Sequence, residues 1–157
     1  MSATSSNKGR RILVGGLVAA AIAAPLTLAS APAQAATLNG CTVNPLTPSV
    51  VTVAGVKRVQ YRVQVSCAAN RIVQIRDWRY ESDSPAGLAG DDFLGSVTHL
   101  RTFASAGSVT LASLGGLPNT ESSNEEVYHR TSFRVATIGG VTGWTSFQNS
   151  GIRSVDN

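Results

Sequence analysis

The stretch KRVQYRVQVSC, Lys57 to Cys67, decides the fold class. Successive side chains of a pleated strand point to opposite faces, so Val59, Tyr61, Val63, Val65 and Cys67 share one side while Arg58, Gln60, Arg62, Gln64 and Ser66 share the other. A strand with one apolar and one polar face fits an antiparallel sheet that covers a core with one side and meets water with the other. Cys67 belongs to the inward set, where a bond to it would tie another segment to the core.

The pattern recurs along the chain. Ser49 to Val53, Arg71 to Tyr80, Phe93 to Phe103, Ser108 to Leu111, Val127 to Ile138 and Trp144 to Phe147 also read as strands. Turn signals separate them: Val53-Ala54-Gly55, Ala68-Ala69-Asn70, Ser84-Pro85-Ala86-Gly87, Ala104-Ser105-Ala106-Gly107, Gly115-Gly116-Leu117-Pro118-Asn119 and Gly139-Gly140. No stretch after residue 35 shows a sustained helical period. About seven strands in this length predict an all-β chain, a single antiparallel β-sandwich or small barrel.

The first 35 residues follow other rules. Lys8, Arg10 and Arg11 precede an almost wholly apolar run from Ile12 to Leu28, and Ala33-Gln34-Ala35 fits a small-residue cleavage site. The expectation is a cleaved signal peptide over 1–35 and a mature domain over 36–157. A membrane anchor is the rival reading, but Pro25 breaks the apolar run short of the roughly 20 residues a span requires. Arg10-Arg11 raises twin-arginine export, yet Ile12-Leu13-Val14 fits that pattern loosely and Sec export is expected.

Export changes the charge balance. All nine acidic residues lie beyond residue 35, whereas three of the thirteen basic ones leave, so ten basic residues face nine acidic ones, a net +1. The basic character of the whole chain belongs to the leader, and nothing in the bulk charge argues for nucleic acid or an anionic membrane. The 122 residues left make one domain with one core.

Cys41 and Cys67 are the two cysteines, and in an oxidising compartment they are expected to pair. Leu38-Asn39-Gly40-Cys41 slightly resembles a lipoprotein box, which would lipidate Cys41. A Cys41–Cys67 bond would exclude that.

Two loops carry most of the acid. Pro118 to Glu126, PNTESSNEE, reads as an exposed loop. Glu81, Asp83, Asp91 and Asp92 surround Pro85, Gly87 and Gly90; their spacing matches no calcium loop, and solvation is expected instead of a metal site.

Signals for catalysis are sparse. His99 and His129, the two histidines, fall inside predicted strands and are expected half-exposed. No G-x-S-x-G, HExxH, phosphate loop or CxxC occurs, and a Ser-His-Asp set built from distant residues would leave no local mark. No cofactor is implied.

The residues best suited to contact are Trp78, Arg79 and Tyr80, since large rigid rings and guanidinium groups dominate interface energies. A structural reading stands beside it, with Trp78 in the core and Arg79 and Tyr80 on opposite faces. The triplet is similar to the Trp-Arg-Tyr with which tendamistat-type α-amylase inhibitors, secreted bacterial β-sandwiches, block their enzyme. Those hold it between paired cysteines, whereas no Cys follows Trp78 here. Cys67 with Trp78 eleven residues on resembles the Cys and Trp of the immunoglobulin fold, although the late Cys of that pattern is missing near Thr131 to Val135. Neocarzinostatin-type chromophore carriers are similar in size and class, but carry two disulfides. Trp144 and Phe147 are placed by parity on opposite faces of one strand.

Taken together, the chain is expected to be a secreted, extracellular sandwich, immunoglobulin-like in architecture, with one disulfide. Its expected role is to bind an extracellular protein, glycan or small ligand without catalysis. The alternatives are an enzyme inhibitor acting through Trp78, Arg79 and Tyr80 and, ranked last, a small hydrolase built on His99 or His129.

Overall fold

The computed structural model describes residues 33–82, 90–118 and 124–156; the leader segment 1–32, Asp83 and part of the PNTESSNEE segment therefore lie outside the described residues. The chain is all-β. Among the described residues ten strands occur in order: β1 Ala36–Leu38, β2 Cys41–Val53, β3 Val56–Cys67, β4 Arg71–Glu81, β5 Asp92–Phe103, β6 Gly107–Gly115, β7 Glu125–Thr137, β8 Gly140–Val141, β9 Gln148–Asn149 and β10 Arg153–Val155. No helix occurs among the described residues, and none is long and apolar enough there to cross a membrane.

Every pairing is antiparallel. One sheet runs β1-β2-β3-β6 and the other β10-β7-β4-β5, with β8 and β9 also on β7. Their inner faces meet. One cluster joins Cys41, Val43, Val63, Val65 and Cys67 of the first sheet to Val73, Ile75, Phe103, Phe133 and Val135 of the second, giving a sandwich-like stack. A smaller cluster of Val59, Tyr61, Val127 and Val155 forms farther along. The alternation of Val59 to Cys67 is realised residue by residue, all five being buried.

Local chemistry sets the crossings. β1 and β2 join through Asn39 and Gly40 at φ 46° and 76°, and β2 and β3 through Ala54 and Gly55 at 50° and 80°. Two consecutive positive φ values give the tight turn whose twist matches that of the flanking strands. Between β3 and β4 the chain changes sheets at Ala68-Ala69-Asn70. There the Arg71 side chain donates to the carbonyls of Asn39, Ala69 and Asn70 at 3.0, 3.2 and 3.1 Å.

Cys41 and Cys67 are bonded and directly opposed on β2 and β3, with Cα atoms 4.1 Å apart. The bridge therefore lies within one sheet. A closed loop of this length contributes about 3 to 4 kcal/mol on the chain-entropy account.

Three expectations on boundaries change. β2 begins at Cys41 instead of Ser49: Pro45 stands opposite Val63 within the ladder, and a register shift between Leu46 and Ser49 carries Pro48 past it. Trp144 to Phe147 is not a ladder strand; Thr142 and Thr145 donate backbone bonds to the Val135 and Phe133 carbonyls, and pairing resumes at Gln148. Glu125, expected in an exposed loop, opens β7 and is fully buried.

Ala54 carries a Cβ at a positive φ that costs about 1 kcal/mol or more. Replacing it with Asn, which tolerates that conformation and completes an Asn-Gly turn, is expected to raise unfolding stability by roughly 0.5 to 1 kcal/mol in urea titration.

Candidate functional site

Parity along β4 separates two environments. Val73 and Ile75 point into the core, so Asp77, Arg79 and Glu81 follow them inward, while Arg76, Trp78 and Tyr80 point outward. The expectation of Trp78 as a core residue is thus corrected: it is half-buried on the outer face. Arg79 and Tyr80 do take opposite faces, with Arg79 only 8 % exposed, so the triplet is not displayed as one ridge.

Inside, a polar belt separates the two apolar clusters. Asp77 is fully buried, and its Oδ1 stands 2.5 Å from Nδ1 of the equally buried His129. His129 Nε2 lies 2.8 Å from the carbonyl oxygen of Leu46 on the opposite sheet. Both partners are acceptors, so the ring satisfies them together only with a proton on each nitrogen. Ser113 Oγ donates to Asp77 Oδ2 at 3.4 Å from β6. His99 Nε2 stands 3.8 Å from the same oxygen, beyond hydrogen-bond length, so its support is mainly electrostatic. The expectation of two half-exposed histidines fails for His129, which is fully buried, and His99 also points inward to Asp77.

Burial alone would push the Asp77 carboxyl up. The His129 bond and the pull of His99 more than offset it and hold the group at about 2, below its usual 3.8. Burial pushes the Tyr61 hydroxyl the other way, to about 12, against the opposing pull of Arg79. Tyr61 meets the His129 ring edge-on at 5.5 Å and carries the Arg79 guanidinium 4.9 Å from its ring centre.

This constellation holds Ser, His and Asp, but not in the order that hydrolysis needs. Ser113 bonds the carboxylate and not the imidazole, and both ring nitrogens of His129 are engaged elsewhere. Its geometry is that of a strut between sheets. Sequence reasoning missed it because Asp77 and Arg79 in a strand suggest the wet side; the parity of Val73 and Ile75 was the available signal.

Outside, the second sheet carries interleaved rings and guanidinium groups. Trp78 packs on Phe147 at 4.6 Å and edge-on to Phe93 at 6.1 Å. Tyr80 meets Phe93 at 5.5 Å and stacks on Tyr128 at 5.4 Å. Arg76 and Arg134 lie 3.8 and 4.9 Å from the Trp144 ring centre, and Arg130 sits 5.4 Å from that of Phe147. Trp144 and Phe147, expected on opposite faces, thus both pack on this outer side. Phe93 remains 58 % exposed.

Of the acidic loop's carboxylates, Glu81, Asp91 and Asp92 are among the described residues. Glu81 is fully buried, Asp91 accepts a 2.5 Å bond from the Tyr128 hydroxyl, and Asp92 is exposed. Among the described residues no three His, Cys, Asp or Glu side chains stand close enough to hold a metal ion.

No protein-family model and no curated protein matches the chain. One solved structure that it resembles is DesR, a β-glucosidase from Streptomyces venezuelae in complex with D-glucose. The TM-score is 0.38 and the identity 14 %, over 74 % of this chain and 15 % of that one. This chain therefore spans about a seventh of that enzyme's length, and a likeness at this level carries no argument about activity.

Because the Asp77 carboxyl is held below its unfolded value, its contribution is present above pH 3.8 and is lost as pH falls through about 2. The difference is worth about 2 kcal/mol. Urea titration across pH 5 to 2 is expected to show that loss in the wild-type protein. Asp77→Asn should be less stable by about 3 kcal/mol at neutral pH and should have a flatter profile over the acid range.

Proposed function

We propose that this protein is a secreted binding module without catalysis, immunoglobulin-like in architecture, and that the outer face of the β4–β7 sheet is its contact surface. The carrying observation is the array of Trp78, Tyr80, Phe93, Arg130 and Phe147, in which rings and guanidinium groups brace one another on an outer face. Aromatic rings lose little conformational freedom on binding, and guanidinium groups make several bonds at once, which is why such groups concentrate interface energy. Arg76, Arg130 and Arg134 give the array a positive sign, so it suits an extracellular partner with an acidic surface. Arg79 leaves the proposed contact set because it points inward.

Export is supported by the sequence of residues 1–35, by the disulfide, and by the start of β1 at Ala36, the first residue after the expected cleavage site. The immunoglobulin-like reading is supported by β3 and β4, consecutive strands that cross from one sheet to the other and pair centrally in each.

Two measurements test the reading. N-terminal sequencing of the protein recovered from culture medium is expected to begin at Ala36; an uncleaved or lipidated product rejects secretion as argued. In the second, the mature domain is used to capture partners from medium and envelope fractions beside a Trp78→Ala, Tyr80→Ala, Arg130→Ala variant, whose changes leave both core clusters untouched. The wild-type domain is expected to retain a partner that the variant loses and that added salt releases. Equal recovery by both forms ends the contact hypothesis.

A further inference from the structure

β6 is the last strand of its sheet: it pairs with β3 on one side and, among the described residues, with no strand on the other. A strand paired on one side only leaves every second N–H and C=O turned outward without a ladder partner, and edges in this state ordinarily carry a charge, a proline or a bulge. β5, the corresponding edge of the second sheet, has Asp92, Arg101 and a register shift opposite Arg79 and Tyr80. β6 has none of the three. Its sequence, GSVTLASLG, holds neither a charged residue nor a proline, and it follows β3 without a shift from Gly107 to Gly115.

The inner side of this edge is also incompletely covered. Val109 and Leu111 pack on the first core cluster yet stay only half-buried, since among the described residues no strand lies beyond them. Ser108, Thr110 and Ala112, on the outer side, are exposed. The Leu114 carbonyl is taken by Arg79 Nη1, so the length free to pair is Gly107 to Ser113, with Thr110 at its midpoint. We propose that β6 of a second copy of this chain pairs antiparallel with this edge about a two-fold axis at Thr110, so that the first sheet continues from one copy into the other.

Three features favour a second copy over an unrelated extended segment. Set against itself about its midpoint, the stretch opposes Thr110 to Thr110, Ser108 to Ala112, Val109 to Leu111 and Gly107 to Ser113. Small and polar residues thus meet on the outer side, Val meets Leu over the core, and each copy roofs the half-buried pair of the other. No like charges are brought face to face: Arg62, the arginine of β3 nearest in register, stands one strand back opposite Ala112. An unrelated segment is selected by pockets for its alternate side chains, and the short side chains of Ser108, Thr110 and Ala112 build none. A two-fold pair also uses up this edge on both copies, so assembly stops at two.

The edge differs from the outer face proposed above. It uses none of Trp78, Tyr80 or Arg130, which lie on β4 and β7, and can fail while that surface stands. Where both hold, an axis normal to the joined sheet sets the two ring-covered faces on the same side and gives attachment at two points.

The chain from Ala36 to Asn157, which holds every strand described, is the sample. Sedimentation velocity from about 1 to 500 µM is expected to show a monomer–dimer equilibrium with a dissociation constant of about 100 µM or tighter, as suits a small interface of one strand and its neighbours. Thr110→Lys puts two like charges opposite each other at the axis, on an exposed position that the monomer tolerates. It is expected to weaken the dimer by about tenfold or more with native amide dispersion retained. Register is read from single cysteines, since Cys41 and Cys67 are bonded to each other and leave no free thiol. Thr110→Cys brings two Cβ atoms to about 5 Å across the axis and should link the copies on mild oxidation. Ser108→Cys sets its two sulfurs about four residues, or roughly 13 Å, apart along the strands and should not. The two cysteine variants decide the matter should Thr110→Lys fail to fold. The proposal is overturned if the wild-type chain stays monomeric to the top of the concentration range, if folded Thr110→Lys associates as strongly as wild type, or if Ser108→Cys links as readily as Thr110→Cys.

Discussion

The contact between Asp77 and His129 governs the arrangement of everything else. A carboxylate taken out of water is tolerated only with charge and hydrogen bonds around it, and here one imidazole answers that need while reaching across to the Leu46 carbonyl of the facing sheet. The apolar clusters on either side would allow the sheets to slide, since hydrophobic contact has no direction. A directional bridge between them defines one relative position of β7, β4 and β2. Ser113 adds a fourth strand, β6, to the same node.

With Asp77 committed to the interior, the pleat leaves no choice about its neighbours. Trp78 and Tyr80 must go outside and Arg79 inside. Large rings that would ordinarily help to fill a core are thereby displaced onto the surface, where Phe147, Phe93 and the arginines cover part of them. The interior receives in exchange a guanidinium that β6 satisfies only in part. A buried strut, a ring-covered outer face and a partly satisfied cation are three results of one strand's phase.

That phase also marks where sequence reasoning succeeded and where it stopped. Residues 57 to 67 were legible because polarity and burial agree at nearly every position, and the pairing of Cys41 with Cys67 followed from there being no other cysteine. β4 was not legible in the same way. Ile72, Trp78 and Tyr80 make its outer side look apolar, while Asp77, Arg79 and Glu81 make its inner side look wet, so polarity points the wrong way over half of the strand. What overrides it is pairwise satisfaction between residues far apart in the chain, 52 positions in the case of Asp77 and His129, and such pairing leaves no local mark. The extension of β2 was hidden for a different reason: prolines ordinarily interrupt a ladder, and here Pro45 keeps its place opposite Val63 while a register shift between Leu46 and Ser49 accommodates Pro48.

Those prolines have an effect beyond the strand that holds them. β1 covers β2 only opposite Cys41 to Val43, so most of the outer margin of β2 has no ladder partner in its own sheet. A long bare margin invites a foreign strand to add itself, and that is how many sheet proteins begin to clump. Neither Pro45 nor Pro48 has an amide hydrogen to offer a new strand, and the register shift between Leu46 and Ser49 breaks the straightness of β2. The residues that obscured β2 in the sequence also guard it against unwanted company when many copies of the chain are crowded together.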